Sequence, residues 1–267
     1  MGASESKVSD PAERRKRIKE AMDSGGEMRV NILIVGEHGT GKTCLMNTMN
    51  AALNDTDQFL AAPGTGFGTG TTFVRRFQLY ENLYCFDVPG MGFKTEQQQE
   101  LLLKILDGIE TDETDQIKWD KTDKDQSILQ NSIDSLKKNK VNRIDHIIWV
   151  VNPKKFEKNN ERFIFWEWAE ADVGARDYYK QLFETIRNKS KRKFYPRMVF
   201  THCGEGDGAT SLTIDQLMAE FTYVNDSCKH FINNYTDKIP LSRRTATDKS
   251  ALALLHGIIS QVRALQL

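Results

Sequence analysis

The sequence predicts a three-layer α/β fold, with a mostly parallel sheet and one antiparallel edge hairpin between two layers of helices. Three apolar runs are each followed by polar turn residues and a helical pattern, as in alternating strands and helices; they are residues 29–35, 144–151 and 197–201. Two further strand patterns, 72–80 and 83–86, are separated by two residues only. Such a short connection indicates a tight hairpin instead of a helical crossover.

The first predicted element is a short helix near the N-terminus. The Asp-Pro-Ala-Glu sequence at 10–13 combines an N-cap, a proline at the first helical position and a glutamate that reaches back to the cap. A mostly charged helix is therefore expected to about Met22, and Ser-Gly-Gly at 24–26 ends it. We predict an N-terminal basic segment at 1–27 and a single domain at 28–267, since 267 residues with 39% hydrophobic content support one core with elaborations.

The N-terminal segment also carries a pattern for lipid attachment. Its first seven residues match the pattern for myristoylation of Gly2 after removal of the methionine. A single acyl chain anchors weakly, and the basic cluster Arg14–Arg17 with Lys19 would supply the second signal by attracting an anionic membrane surface. Acidic residues dilute this cluster, so a solvated tail is the alternative.

A glycine-rich stretch directly after the first strand predicts a phosphate cradle. It has the spacing G-x-x-x-x-G-K-T and precedes a helical pattern at 44–53. Glycines let successive backbone N–H groups point at a phosphate, and the helix N-terminus adds its positive end. Lys42 would reach the outer phosphates, and Thr43 would give its hydroxyl to Mg²⁺. The predicted nucleotide-binding residues here are Gly36, Glu37, His38, Gly39, Thr40, Gly41, Lys42, Thr43 and Cys44.

Two segments after the cradle helix are expected to respond to the nucleotide. Residues 54–71 are rich in Gly, Thr, Asp and Ala, which predicts a mobile loop where a nucleotide-sensing switch would lie, or else a plain flexible connection. The second hairpin strand runs into Asp87-Val88-Pro89-Gly90. Asp87 would hold Mg²⁺ through water, and the Gly90 N–H would sense the terminal phosphate.

The rest of the chain completes the layers and adds two insertions. A final helix is predicted at 250–265, where apolar residues at helical spacing indicate core packing. The insertions lie near 110–140, which is charged and polar, and near 153–176, which contains the aromatic cluster 163–168. That cluster fits either a protein interface or a local core.

Composition excludes several classes of function. Positive and negative side chains balance at 37 each, so there is no global basic field of the kind that nucleic-acid binding requires. The four cysteines form no C-x-x-C pair, which argues against a zinc site or a disulfide framework and indicates a reducing, cytoplasmic compartment. No apolar run has the length of a bilayer crossing.

The order of these elements resembles the small-GTPase-like (TRAFAC) class of P-loop GTPases, over residues 28–267. Asp87-Val88-Pro89-Gly90 is similar to the D-x-P-G of septins, immunity-associated GTPases and chloroplast import receptor GTPases. Thr201-His202 resembles the Thr-His variant that some import receptors carry in place of Asn-Lys-x-Asp. The resemblance implies a P-loop NTPase fold of the G-domain type that binds GTP or GDP with Mg²⁺.

The resemblance also implies further site residues and some departures. Gly204 occupies the position of the aspartate that recognises guanine, and Glu205 or Asp207 could replace it. Ser242 matches the last base-contacting loop. The Mg²⁺-binding threonine of the mobile loop is expected at Thr72, with Thr71 and then Thr69 as alternatives.

Catalysis is expected to be slow. Met91 stands where many small GTPases carry the glutamine that orients the attacking water, and an apolar side chain cannot do this. Lys42 remains the expected charge-neutralising group. His38 is the candidate for the missing polar role, or else an exposed loop histidine without one.

The leading hypothesis is a guanine-nucleotide switch with slow Mg²⁺-dependent GTP hydrolysis that acts on an effector protein. Septin and import-receptor relatives imply a homodimer through the nucleotide face. A non-hydrolysing nucleotide-binding scaffold is the alternative, and an ATPase or small-molecule kinase is the third possibility.

Overall fold

The computed structural model describes residues 10–24, 28–62, 74–93, 95–111, 117, 126–156, 180, 183–186, 188, 196–203, 212–236 and 244–266. Its strands are β1 Val30–Val35, β2 Arg75–Tyr80, β3 Leu83–Asp87, β4 His146–Val151, β5 Arg197–Phe200 and β6 Lys229–Phe231. Its main helices are α1 Pro11–Ser24, α2 Lys42–Asn54, α3 Glu96–Asp107, α4 Gln126–Ser135, α5 Ile214–Glu220 and α6 Arg244–Gln266. No helix among these described residues is both long and apolar enough to cross a membrane.

The strands form one six-stranded sheet in the order β2-β3-β1-β4-β5-β6. All neighbouring pairs are parallel except β2 and β3, which form the predicted antiparallel hairpin around a turn at Glu81 and Asn82. β1 and β4 are buried at every position, as expected for central parallel strands with both faces covered. The predicted fold class is therefore confirmed.

Each face of the sheet packs against its own layer of helices. One core joins α3, α4 and α5 to the face that carries Phe86, Trp149 and Phe200. The other core joins α1, α2 and α6 to the opposite face. The carboxyl ends of β1, β3, β4 and β5 thus meet at one edge, between the two helical layers, where ligands of such sheets bind.

Several elements differ from the sequence-based expectation. β6 was not predicted; it is three residues long and is held by pairing with β5 and by the ring of Phe231, stacked on Phe200 at 5.0 Å. α6 begins at Arg244, well before the predicted start at Ser250. The prediction missed these first turns because they are polar and carry no apolar periodicity. The charged insertion near 110–140 contributes the helix α4, whose Leu129 and Ile133 are buried.

Helix α1 is also more integrated than its charged sequence indicates. Ile18 and Met22, one helical turn apart, are 0% and 2% exposed and join the core with α6.

The predicted basic cluster of α1 is largely engaged by protein partners. Arg15 turns inward and donates to the Ala52 carbonyl at 2.7 Å. Lys16 and Arg17 pair with glutamates one turn away on α1, and Lys19 lies over the Tyr80 ring. These contacts reduce the positive charge that α1 can offer to an anionic surface, so the structure gives the membrane hypothesis no support.

Candidate nucleotide-binding site

The predicted phosphate cradle joins β1 to α2 at the carboxyl edge of the sheet. Gly36 passes so close to β4 that a Cβ atom there would lie 2.4 Å from the Val150 carbonyl oxygen. Gly39 and Gly41 adopt left-handed φ angles of 73° and 86°, which glycine tolerates best. Gly41 is the N-cap of α2, so the positive end of this helix faces the loop.

Lys42 folds back into the cradle. Its ammonium donates to the carbonyls of Gly36 at 2.9 Å and Glu37 at 3.0 Å, and the residue is 7% exposed. A buried cation is stable only with such partners. Thr40 closes the loop by donating its hydroxyl to the Glu37 carbonyl at 2.9 Å. The cradle therefore carries a buried positive charge at its centre, while His38 is exposed at its tip and Cys44 is half-buried in the first turn of α2.

Thr201, at the end of β5, ties the cradle to the predicted base-recognition segment. Its hydroxyl is 2.8 Å from the Thr40 carbonyl and 3.3 Å from the Val151 carbonyl, and both oxygens can only accept. The single hydroxyl proton is thus given to a carbonyl. His202 Nδ1, at 2.9 Å from the same hydroxyl oxygen, is then assigned as the N–H donor.

His202 has an unusual backbone and a lowered pKa. Its φ of 58° is left-handed. Burial, and then the charge of Lys154, lower the pKa of the imidazole, which keeps the ring neutral near pH 7. A neutral ring protonated at Nδ1 leaves Nε2 as a hydrogen-bond acceptor. The segment after β5 therefore offers a hydrogen-bond acceptor at Nε2 of His202.

The predicted magnesium ligands of α2 and β3 lie together. The Thr43 hydroxyl donates to Asp87 Oδ2 at 2.8 Å, and Asp87 is 2% exposed at the end of β3. A hydroxyl and a carboxylate oxygen at this distance are hard ligands of the kind that Mg²⁺ takes in proteins, usually together with water and phosphate oxygens. The residues present therefore fit a magnesium ion.

The segment after Asp87 packs directly on the cradle. A Cβ atom at Gly90 would lie 2.7 Å from His38 Cα, 2.8 Å from His38 N and 3.1 Å from Lys42 Nζ. Only a glycine allows this approach of the two backbones. Met91 turns the other way: it is 4% exposed and packs in the core with Val88 and Phe93.

The structure adds a residue that sequence analysis missed. After β6 the chain returns to the cradle, where Asn234 Nδ2 donates to the Gly41 carbonyl at 3.1 Å. Asn234 Oδ1 is buried and has no hydrogen-bond partner within the described part of the chain. Asn-Asn at 233–234, directly after a short aromatic and apolar stretch, was the available sequence signal.

Most predicted site residues lie at one edge of the sheet, including the cradle from Gly36 to Cys44, Asp87, Gly90, Thr201 and His202. Gly2, Thr72 and Ser242 fall outside the described residues, as do Thr69, Thr71, Gly204, Glu205 and Asp207.

Comparison with known proteins gives a structural likeness and no match in sequence. No protein-family model matches the chain, and no curated protein sequence matches it. Toc33 from Arabidopsis thaliana in complex with Mg²⁺ and GMPPNP is 12% identical, with a TM-score of 0.50 over 95% of this chain and 92% of that chain. Toc33 with GDP and Mg²⁺ gives 12% identity and a TM-score of 0.46, over 94% and 92%. The G domain of the T. maritima FeoB iron transporter is 13% identical, with a TM-score of 0.38 over 88% of this chain and 99% of that chain.

At such identities the likeness concerns the fold, and the Toc33 complex with GMPPNP carries it. The strand order, the antiparallel edge hairpin and the cradle between β1 and α2 agree with it. The chain has the fold of a P-loop GTPase G domain.

Proposed function

We propose that the protein is a guanine-nucleotide-binding switch that hydrolyses GTP slowly with Mg²⁺. The observation that carries the proposal is the packing of Gly90 on His38 and beside the Lys42 ammonium. Asp87 and Gly90 belong to one short segment, so a change at the cradle centre acts on the magnesium ligand and on the chain that follows it. This is the geometry by which a terminal phosphate orders or releases a switch segment.

The cradle supplies binding energy from its backbone and from one cation. Amides of the loop and of the first turn of α2 can donate to phosphate oxygens. The Lys42 ammonium, which donates to the Gly36 and Glu37 carbonyls, would turn from them to the outer phosphates. In hydrolysis these groups would position the phosphates and neutralise charge, as phosphoryl transfer requires.

Thr43 and Asp87 would hold Mg²⁺, Thr43 through its hydroxyl and Asp87 through water. The ion, when bound, screens the negative charge of the phosphates.

Guanine preference rests on the family resemblance and on two acceptors at the edge of the cradle. Guanine presents N–H donors on its ring edge, where adenine presents a bare nitrogen. His202 Nε2 is an acceptor on the residue that bonds Thr201, and Asn234 Oδ1 is an acceptor on the residue that bonds the Gly41 carbonyl. We propose that they share the role of the aspartate that Gly204 replaces.

Slow turnover follows from the position of Met91, since a side chain packed in the core cannot orient a water molecule. His38 is exposed beside Gly90 and is the proposed substitute. Burial of Met91 also supports the second candidate function, a scaffold that binds nucleotide without hydrolysis.

Phosphate release and calorimetry separate these functions. Wild type should bind GDP and GTP, and prefer them to ATP, when Mg²⁺ is present. It should release phosphate above the level of the Lys42→Ala variant. Binding without excess phosphate would identify the scaffold, and no binding of either guanine nucleotide at millimolar concentration would overturn the proposal.

Two further parts of the proposal concern assembly. A homodimer through the nucleotide face is proposed from the family resemblance, and its expected sign is a larger sedimentation coefficient with GTP than with GDP. Membrane attachment through Gly2 is proposed from the sequence pattern. An intact mass without a myristoyl group, from protein expressed in eukaryotic cells, would contradict it.

A further inference from the structure

The segment after β6 is held by a chain of buried polar contacts that leads away from the nucleotide site. Asn234, which bonds the Gly41 carbonyl, is followed by Tyr235. The Tyr235 amide donates to the Thr48 hydroxyl of α2 at 3.0 Å, and its phenol donates to Asp248 Oδ1 at 2.8 Å. Tyr235 and Asp248 are each 4% exposed.

Asp248 belongs to the first turns of α6, and its second oxygen faces α1. Asp248 Oδ2 lies 3.9 Å from Arg15 Nη2, which also lies 3.5 Å from Asp55 Oδ1. Arg15 Nε also donates to the carbonyl of Ala52, in the last turn of α2, at 2.7 Å. A buried carboxylate requires such partners, because without them it would lose its hydration uncompensated.

These contacts join the N-terminal helix to the nucleotide site. Arg15 fixes Asp248, Asp248 fixes the Tyr235 phenol, and Tyr235 fixes the backbone beside Asn234. We infer that Asp248 and Arg15 are positioning residues for nucleotide binding, so that docking of α1 on α6 controls how long a guanine nucleotide stays bound. This inference rests on the proposed function.

The same geometry makes α1 a regulatory element. Any partner or modification that lifts α1 from α6 would remove Arg15 from Asp248 and Ala52 together, and would loosen Asn234, which bonds the Gly41 carbonyl of the cradle. The effect would appear in nucleotide dissociation more than in hydrolysis, because these residues reach the cradle through the hydrogen bond from Asn234 to the Gly41 carbonyl.

The test compares GDP dissociation rates of wild type and four variants. Tyr235→Phe removes the phenol hydroxyl that bonds Asp248, and Arg15→Gln removes the guanidinium that contacts Asp248 and Ala52. Tyr223→Phe is the matched control, since the Tyr223 hydroxyl is buried without a partner in the described residues. Leu129→Ala, in α4 on the other face of the sheet, controls for general loss of stability.

Tyr235→Phe should accelerate GDP dissociation about tenfold, since it breaks a hydrogen bond to a charged group. Arg15→Gln should accelerate it several-fold, since it removes the ion pair with Asp248 and the hydrogen bond to the Ala52 carbonyl. Both controls should stay within about twofold of wild type. If Tyr235→Phe and Arg15→Gln also stay within that range, the inference is wrong.

A second readout separates this result from failure of the proposed function. Amide hydrogen exchange of residues 233–236 is measured without any nucleotide. Faster exchange in Arg15→Gln, with wild-type exchange in Leu129→Ala, supports the positioning role even if no guanine nucleotide binds. Equal exchange in all variants overturns it.

Discussion

The hydroxyl of Thr43 lies 2.8 Å from Oδ2 of Asp87, which joins the first turn of α2 to the last residue of β3. Two residues that are distant in sequence thereby form one oxygen-rich group beside the cradle lysine. The side chains of the cradle and of the hairpin can therefore act on the same ligand.

Removal of the Thr43 hydroxyl should abolish the effect of Mg²⁺ on nucleotide binding. In Thr43→Ala, GTP affinity measured by calorimetry with Mg²⁺ should fall about tenfold or more, since a ligand of the ion is lost. With EDTA, wild type and variant should be nearly equal. Thr56→Ala, two residues past the C-terminal end of α2, serves as the control. Equal losses with Mg²⁺ and with EDTA would show that Thr43 acts on the fold instead.

An added methyl group at Gly90 should weaken GTP binding more than GDP binding. In Gly90→Ala the new Cβ would overlap the His38 backbone, so the segment after Asp87 must move away from the cradle. About tenfold weaker GTP binding is expected, by loss of one hydrogen bond to a charged group. GDP binding is the internal reference. Equal weakening of both nucleotides would contradict a contact to the terminal phosphate.

Asn47 should be important for stability. It is fully buried in α2; its Oδ1 accepts from the amides of Leu60 and Ala61 at 2.9 and 3.2 Å, and its Nδ2 donates to the Ala61 carbonyl at 2.7 Å. Asn47→Ala should lower the free energy of unfolding by about 2–3 kcal/mol, measured in urea. Asn131→Ala, exposed on α4, should change it by less than about 0.5 kcal/mol. If Asn47→Ala lowers the free energy of unfolding by no more than this, the hydrogen bonds of Asn47 to Leu60 and Ala61 do not stabilise the fold.

Lowering the pH should lower the free energy of unfolding through two buried histidines, His146 of β4 and His230 of β6. Burial, and then the charge of Arg197, lower the pKa of His146 to about 3 and of His230 to about 4. His230 Nε2 lies 3.0 Å from Arg197 Nη1 and must accept, because a guanidinium only donates. Both rings are therefore neutral in the native state.

The sign follows from proton uptake. Below about pH 6.5 the unfolded histidines bind protons and the native ones do not, so the free energy of unfolding decreases by up to about 1.4 kcal/mol per pH unit for each histidine. The decrease should level off below the native pKa values. His230→Gln should flatten the curve between pH 6.5 and 4, measured by urea unfolding, whereas Asn131→Ala, which removes no titratable group, should not. A curve unchanged by His230→Gln would contradict this assignment.

The sequence was informative where one local pattern determined the structure. The run before Gly36, the two-residue connection at Glu81 and the aspartate at position 87 each specify an element, since strand, turn and cradle depend on neighbouring residues. The fold class and the place of the candidate site follow from them.

The sequence-based prediction missed elements and residues whose structure depends on contacts with distant parts of the chain. β6 is only three residues long and exists because β5 offers a paired edge. The first turns of α6 are polar, and the buried Asp248 there is explained by Tyr235 and Arg15, which no local pattern reveals. Asn234 was missed for the same reason, because its role depends on where β6 ends.

The tight passage of Gly36 beneath Val150 has a consequence for mutagenesis of this loop. A methyl group at position 36 would lie 2.4 Å from the Val150 carbonyl oxygen of β4 and 2.8 Å from the Thr40 hydroxyl that closes the loop. A substitution there would displace β1 from β4, and the resulting loss of ligand affinity would reflect a distorted sheet. Inactive variants at this position are therefore poor reporters of phosphate recognition, and Lys42 is the better choice for a nucleotide-free reference protein.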